Sequence, residues 1–469
     1  MQNHADIWDH VDAKREAFTG LSDRVWDMPE LNFQETRSSA EHLAMLKAEG
    51  FRVSIGLAGI PTAIMGEAGE GGPVIAILGE FDALPGLSQE AGVAEHRPLP
   101  GDGNGHACGH NLLGAGAMLA ATAVKDWLSA QDIPGRVRYY GCPAEEGGAA
   151  KAFMVRDGAF ADVDVAISWH PASFAAVRVE ASLAVTVLDF TFIGRAAHAS
   201  AFPHLGRSAL DAAELMNSGV NYMREHMTSD ARIHYAYLDA GGIAANVVQA
   251  KAVLRYVVRA AELSSMRDLV ERVKRVAGGA AMMTDTTVTS EIRSAMSNLV
   301  GNVPLEQLMF RNLDRLGPPQ FDEADVAFAG EIQATVARED IISTHRDAGI
   351  PVTDRPVGDR IVPLEARGAG MIGSTDVGDV SWAVPTVQAR GATCAVGTAF
   401  HSWQLTAQGK SPLAHKGMVH AAKVMAGTAI DLLADEGLLA AAKADHRSRL
   451  ADNPYVCPLP PDLKPALAM

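Results

Sequence analysis

Apolar and polar positions alternate on two different periods along this chain, and the change of period marks its organisation. Val74-Ile75-Ala76-Ile77-Leu78, Val137-Arg138-Tyr139-Tyr140 and Val163-Asp164-Val165-Ala166-Ile167 are short strand-like runs, while Leu112 to Leu128 is Ala-rich, lacks proline and is apolar all round. Strands buried on both faces and alternating with helices predict an α/β layer up to about residue 180. The pattern then changes: Leu188, Phe190 and Phe192 alternate with Asp189 and Thr191, as in a sheet with one wet face. A helical stripe through Ala209, Ala213, Met216, Val220, Met223 and Met227 follows. Strand-like Ile233–Leu238 and Val248–Val258 come next, then a helix through Met266, Leu269, Val273 and Val276 and a strand near Thr286–Ile292. That order, β-α-β-β-α-β, predicts a ferredoxin-like α+β unit. The expected organisation is a catalytic domain split over residues 1–184 and 301–469, its mixed central sheet flanked by helices, with residues 185–300 inserted. Helical patterns resume from about residue 303, interrupted by a polar stretch from Asp340 to Gly370 that reads as a long surface loop. The tail Pro454 to Pro465 reads as an extended arm.

Charge and composition narrow the partners. With 469 residues, 48% of them hydrophobic, the chain can bury a large core and is expected to form more than one domain. A formal charge of −16 without a block of Lys or Arg disfavours nucleic acid and anionic membranes. Four cysteines in so long a chain do not make a disulfide scaffold, which suits a reducing cytosol. Met1 to His10 has neither the basic nor the apolar region of an export signal, and no later stretch is long enough to span a bilayer; a soluble, cytoplasmic protein is expected.

The candidate chemistry lies just past the strand-like runs, where open α/β sheets place their sites. Glu80 and Asp82 follow the first run, Glu145 and Glu146 the second, and His170 the third. Taken alone, Cys108 and His110 in Gly105-His106-Ala107-Cys108-Gly109-His110-Asn111 read as a buried cysteine beside a core histidine. The doublet Glu145-Glu146 changes that reading, because adjacent carboxylates after an apolar strand are costly unless a cation neutralises one. Successive side chains in a strand-end loop can diverge, so one Glu can bind metal while its neighbour faces the substrate water. His170, before Pro171, and His401, after a strand-like run ending near Val396, extend the set. Together Cys108, His110, Glu146, His170 and His401 offer S, N and O donors for two metal ions with open positions for water. The mixed set admits Zn²⁺, and its carboxylate- and imidazole-rich remainder suits Mn²⁺.

The strings Gly79-Glu80-Phe81-Asp82-Ala83-Leu84-Pro85-Gly86, Gly105 to Gly114, Gly141 to Gly148, Trp169-His170-Pro171 and Ser374-Thr375-Asp376-Val377-Gly378-Asp379-Val380-Ser381-Trp382 closely resemble one family. It is the dinuclear-metal aminoacylase/carboxypeptidase amidohydrolases, which include the auxin-conjugate hydrolases. The resemblance spans nearly the whole chain and includes Ala197-His198-Ala199 and Ala414-His415-Lys416-Gly417-Met418. It implies a metallopeptidase-type fold whose inserted domain serves as lid and dimerisation surface. It also implies that the five donors bind the metals, with Glu145 as general base and proton shuttle and Asp82 orienting a ligand. His198 would stabilise the oxyanion, in dimers often that of the neighbouring protomer, and Asn246 and Arg259 would recognise the substrate carboxylate. Three departures stand out: Asn111 where Asp is common, Gln249 where Pro is usual and Thr375 where Glu is frequent.

The implied substrate is a small N-acyl amino acid, in the first instance an aromatic acyl group on an amino acid that bears a carboxylate. An indole-acetyl or fatty-acyl conjugate is the second reading. The third is a non-catalytic partner chain in which metal only stabilises the fold, and the intact Glu145 argues against it. A homodimer through the inserted domain, or a heteromer with a paralogous chain, is the expected assembly.

Overall fold

The computed structural model describes residues 4–101, 103–178, 182–366 and 373–467. Its strands are β1 (Arg52–Ile55), β2 (Ile64–Glu70), β3 (Val74–Glu80), β4 (Gly135–Cys142), β5 (Val165–Ala172), β6 (Ala176–Arg178), β7 (Ala184–Ile193), β8 (Arg232–Asp239), β9 (Lys251–Ala260), β10 (Thr287–Met296) and β11 (Thr386–Ala392). Seven of them form a mixed sheet in the order β1-β2-β4-β3-β5-β11-β6. β4, β3, β5 and β11 run parallel, so their C-terminal ends share one edge, while β1, β2 and β6 pair antiparallel at the flanks.

Every residue of β3 is buried, and its alternation feeds two helix layers. Ile75 and Ile77 pack with Leu112, Met118, Trp127 and Met425 on one face, and Val74, Ala76 and Leu78 pack with Phe153, Met154, Val377 and Val380 on the other. A continuous apolar run is what a strand covered on both sides requires. The helix His110–Gln131 lies close against the sheet because Gly114 has no side chain: a Cβ there would come 2.5 Å from the Glu80 carbonyl oxygen. That approach sets the start of the helix beside the end of β3.

The other four strands form an antiparallel sheet in the order β10-β7-β9-β8, with the expected β-α-β-β-α-β connectivity. Leu188, Phe190 and Phe192 pack under the helices Ala209–Met223 and Leu263–Thr284, through Met216, Val220, Met266 and Val273. Asp189 faces the other way and pairs with Arg255 at 2.7 Å. The wet face read from the alternation is therefore present.

The connections between the two sheets are gripped by the helix Val377–Ala383. Asp379 accepts from the Ser297 amide at 3.0 Å and the Ser297 hydroxyl at 2.7 Å; Ser381 Oγ accepts from the Val300 amide at 2.8 Å; Trp382 Nε1 donates to the Asn298 carbonyl at 2.8 Å. On the incoming connection, Ser182 Oγ accepts from the Leu299 amide at 2.6 Å. The arm after Pro454 has no helix or strand among its described residues and is tied here too, by Tyr455 OH on Asp379 at 2.9 Å.

Two expectations need correction. The polar stretch from Asp340 does not begin as a loop: Arg338–Ala348 is a helix, with Asp340 accepting from the Ala337 amide at 3.2 Å and Ile341 and His345, four apart, buried on one face. Two inward positions in eleven residues are too few to register as a stripe. Irregular chain runs from Ile350 to Ala366, and residues 367–370 of that stretch lie outside the described residues, as do residues 1–3 of the N-terminal segment. The strand before His401 also ends earlier, at Ala392 rather than near Val396. Among the described residues no helix is long and apolar enough to cross a membrane.

Gly378 sits in the gripping helix where a Cβ would lie 2.0 Å from the Ser297 carbonyl oxygen. Helix propensity alone favours alanine over glycine by about 1 kcal/mol. The clash reverses that sign: Gly378→Ala should lower unfolding stability by about 1–3 kcal/mol, the usual cost of overpacking, as measured by urea denaturation.

Candidate metal centre

The site is built at the shared C-terminal edge of the parallel strands. Gly109 adopts the left-handed conformation (φ 75°) that starts the helix His110–Gln131, and it turns Cys108 and His110 toward the same edge. His110 Nδ1 bonds Asp82 Oδ1 at 2.9 Å, and His170 Nδ1 bonds the Pro171 carbonyl oxygen at 2.9 Å. Both acceptors hold a proton on Nδ1, so Nε2 is the atom through which His110 and His170 would bind a cation. His170 Nε2 lies 3.4 Å from Cys108 Sγ. His401 is held in the left-handed region (φ 58°), its amide on the Ala107 carbonyl at 2.9 Å, and its Nε2 is 3.3 Å from Glu146 Oε2. The second Asp82 oxygen accepts from the Glu146 amide at 3.0 Å.

These contacts bring all five sequence-predicted donors together. Ligand atoms of Cys108, His110 and His170 lie within 4.8 Å of one another, as do those of Cys108, Glu146 and His401. The two groups share Cys108. A third group, Glu80, His110 and Glu145, is equally close, so the two residues of the doublet fall in different groups.

Divalent cations fit this arrangement. His110 Nε2, Glu146 Oε1 and Glu80 Oε2 are buried without a hydrogen-bond partner, a state that is costly unless something else satisfies them. Glu80, Asp82, Glu145, Glu146 and Asp376 crowd round the site, with Lys151 as the fixed cation among them. Lys151 and His110, whose imidazole pKa Cys108 and Asp82 raise against the effect of burial, are still outnumbered by these carboxylates. Burial, then Glu80, Glu146 and Asp376, push the Glu145 carboxyl well above the ordinary carboxylate range in the protein by itself. For Asp82 burial works in the same direction, but the charge and hydrogen bond of His110 and the Glu146 amide outweigh it and hold the carboxyl low. Burial lowers His170 to about 3, keeping its imidazole neutral.

Four residues of this site were not given roles from the sequence. Lys151 is fully buried, its Nζ 2.6 Å from both Glu80 Oε1 and Asp376 Oδ1. A lysine inside Ala149-Ala150-Lys151-Ala152-Phe153 was the available signal. Asp376 and Glu80 both lay within strings that carried the family resemblance. Glu35, far away in sequence, accepts from the amides of Phe33 and Ala144, each at 2.9 Å, and from the Thr62 hydroxyl at 3.2 Å. It thereby fixes Ala144, itself at φ 54°, immediately before the Glu145-Glu146 doublet. No local pattern marks it.

The residues expected from the inserted unit are placed differently. His198 is exposed, and its Nδ1 accepts from the amides of Ser200 at 3.3 Å and Ala201 at 3.2 Å, so Nε2 carries the proton. Asn246, also exposed, accepts on its carbonyl from the Ala199 amide at 3.0 Å. Both belong to the end of the sheet where β9 begins. Arg259 lies at the opposite end of β9, about 25 Å away at 3.3 Å per residue, and reaches Ser374 Oγ at 3.4 Å, two residues before Asp376. A single chain thus does not bring Asn246 and Arg259 together.

Residues 76–312, half of the chain, match Peptidase family M20/M25/M40. The chain is also 44% identical to a chain of the p-aminobenzoyl-glutamate hydrolase of Escherichia coli, over 98% of each protein. The protein belongs to peptidase family M20/M25/M40. Membership makes it a hydrolase of amide bonds. Among other relatives, Xaa-Arg dipeptidase of Mus musculus is 27% identical over 95% of this chain and 92% of its own. A second, different chain of the E. coli hydrolase is 31% identical over 49% of this chain and 54% of its own. A dinuclear metal-binding M20 peptidase of known structure from Bacillus subtilis has the same fold, with a TM-score of 0.60 and 17% identity over 90% of this chain and 99% of that one.

The three departures from the wider M20 pattern leave the donor cluster untouched. Asn111 Nδ2 donates to Ser22 Oγ and to the Gly409 carbonyl, both at 3.0 Å, a task that a carboxylate could not perform. Gln249 Oε1 accepts from Ser208 at 3.2 Å, and Thr375 Oγ1 accepts from the Val377 amide at 3.3 Å.

Because Cys108 belongs to both donor groups, Cys108→Ser should weaken metal binding at least tenfold while sparing the fold, a hydroxyl being a far poorer ligand than a thiolate. Calorimetric metal titration beside circular dichroism checks this. Unchanged metal affinity would leave Cys108 a buried core residue.

Proposed function

We propose that this M20 hydrolase is a metal-dependent amidohydrolase of N-acyl amino acids, acting on aminobenzoyl-glutamate or a similar aromatic N-acyl amino acid. The observation that carries the reading is the convergence of Cys108, His110, Glu146, His170 and His401 beside Glu145 at one sheet edge. The identity of 44% over 98% of the E. coli hydrolase chain supports the substrate class. Two divalent ions, Mn²⁺ or Zn²⁺, when bound by the five donors, would supply an activated water and polarise the amide carbonyl.

The chain's own groups then have separable tasks. Glu145, grouped with Glu80 and His110 rather than with the other donors of Glu146, takes the proton of the attacking water and later delivers it to the departing nitrogen. Asp82 orients His110 through Nδ1 and Glu146 through its amide, holding two ligands with one carboxylate. His198 presents a protonated Nε2 as a donor to the tetrahedral oxyanion, a contribution of roughly 3–4 kcal/mol where comparable donors have been removed. Arg259 and Asn246 receive the substrate carboxylate. Residues 185–300 act as the inserted lid on a catalytic domain of residues 1–184 and 301–469, and its closure excludes water.

The places of these groups support an assembly of two chains. Arg259 stands beside Ser374 in its own chain, while His198 and Asn246 sit at the far end of the same sheet. Two copies paired through the inserted unit would let His198 and Asn246 of one complete the site of the other. Similarity to two different chains of the E. coli hydrolase also supports a heteromer with a paralogous chain. We place the protein in the cytoplasm, on the strength of its free cysteines and acidic charge.

Purified protein loaded with Mn²⁺ or Zn²⁺ should release the aromatic amine acid from aminobenzoyl-glutamate, and Glu145→Gln should retain its metal yet lose at least 10²-fold in turnover. Substrate-panel rates with parallel metal analysis check both statements. A variant with near-normal turnover would remove Glu145 from the mechanism, and a preference for fatty-acyl or indole-acetyl conjugates would replace the substrate.

Mixing inactive Glu145→Gln chains with inactive His198→Ala chains should restore about a quarter of wild-type activity if chains exchange freely into random dimers. Verified mixed dimers without recovered activity would mean that His198 serves its own protomer.

A further inference from the structure

Glu80 ends β3 with its carboxylate divided between two surroundings. Oε1 is 2.6 Å from Lys151 Nζ, and Lys151 is fixed in turn by Asp376, through its ammonium at 2.6 Å and its backbone amide at 2.9 Å. The Glu80, Lys151 and Asp376 side chains are all 3% exposed or less. Oε2 is different. It is buried without a hydrogen-bond partner and lies 3.3 Å from His110 Nε2, the atom through which His110 would bind a cation.

Two carboxylates on one ammonium leave one negative charge in surplus. Asp376 uses both its oxygens on Lys151, so the surplus falls on the oxygen of Glu80 that faces the donor cluster. A counterion for Lys151 alone would not need that oxygen to be sealed from water and left unbonded. Ligand atoms of Glu80, His110 and Glu145 also stand within 4.8 Å of one another, the spacing of atoms that share an ion.

We propose that Glu80 is a further oxygen donor to the metal centre, reaching the ion that His110 holds, with Lys151 and Asp376 fixing its orientation. This rests on the metal-dependent reading above. It adds a hard oxygen to a set that already contains a thiolate, and so moves the preference of that position toward Mn²⁺ over softer ions.

The test is a titration of metal-free wild type and Glu80→Gln with Mn²⁺, with stoichiometry and affinity from calorimetry and coordination from the Mn²⁺ electron paramagnetic resonance spectrum. Glutamine keeps an oxygen for Lys151 and turns an amide NH₂, which is not a ligand, toward the centre. Wild type should bind two ions, and the folded variant should bind one of them at least tenfold more weakly with a changed spectrum. A folded variant with both affinities and its spectrum unchanged overturns the inference. If the variant does not fold, the crystal structure of Mn²⁺-loaded wild type decides: Glu80 Oε2 within about 2.5 Å of an ion supports the proposal, and a separation beyond about 3 Å overturns it. Wild type that binds no Mn²⁺ or Zn²⁺ would overturn the metal-dependent reading itself, which separates that failure from this one.

Discussion

Uncompensated negative charge at the end of the parallel strands is the constraint on which this structure turns. Glu80, Asp82, Glu145, Glu146 and Asp376 share a poorly hydrated volume with only Lys151 and His110 as cationic partners. Charges so placed repel unless cations enter or protons stay bound. The backbone around them is correspondingly over-determined: Gly109, Ala144, Ala149 and His401 all have positive φ, and three of them are not glycine. Such residues persist where surrounding contacts hold them, and here those contacts are the Glu35 carboxylate on Ala144 and the Ala107 carbonyl on His401. Gly109 lies between Cys108 and His110, Ala144 precedes Glu145, and His401 is itself one of the clustered donors.

The parts of this arrangement that were legible in the sequence are those carried by short, local patterns. β3, β4 and β5 announce themselves as buried apolar runs, and the donors follow within a few residues of their ends. Glycines on either side of Cys108 and His110 mark a turn, and alternation in β7 marks a sheet with one wet face. What was not legible depends on pairs distant in the chain. Lys151 and Asp376 are 225 residues apart, and Glu35 and Ala144 are 109 apart. Neither partner of such a pair shows in its own surroundings what it will meet. The helix Arg338–Ala348 failed for a different reason: a surface helix with only Ile341 and His345 inward has no stripe to read.

Position within the fold also separates two kinds of site residue. Cys108, His110, Glu146 and His170 stand on or next to the rigid parallel strands, where packing on both faces allows little displacement. His198 and Asn246 stand on exposed loop at the far end of a separate sheet. Groups that must hold a cation in fixed geometry belong on the first kind of element. On the reading proposed above, His198 and Asn246 act only once substrate is present, which an exposed loop tolerates if closure brings them in.

The helix Val377–Ala383 joins the two. Asp376 at its start is bound to Lys151, and through Lys151 to Glu80 and the donor cluster. One and two turns later Asp379, Ser381 and Trp382 hold the chain segment Ser297–Val300 that leads out of the second sheet, and Arg259 of that sheet reaches Ser374 just ahead of the helix. A seven-residue element therefore has its first turn in the electrostatics of the centre and its last in the connection to the second sheet. Any rotation of the second sheet must work against these buried hydrogen bonds, or pivot about them. They bind the connection rather than the sheet itself, so the segment that holds Lys151, and through it Glu80, also fixes where the chain leaves the second sheet.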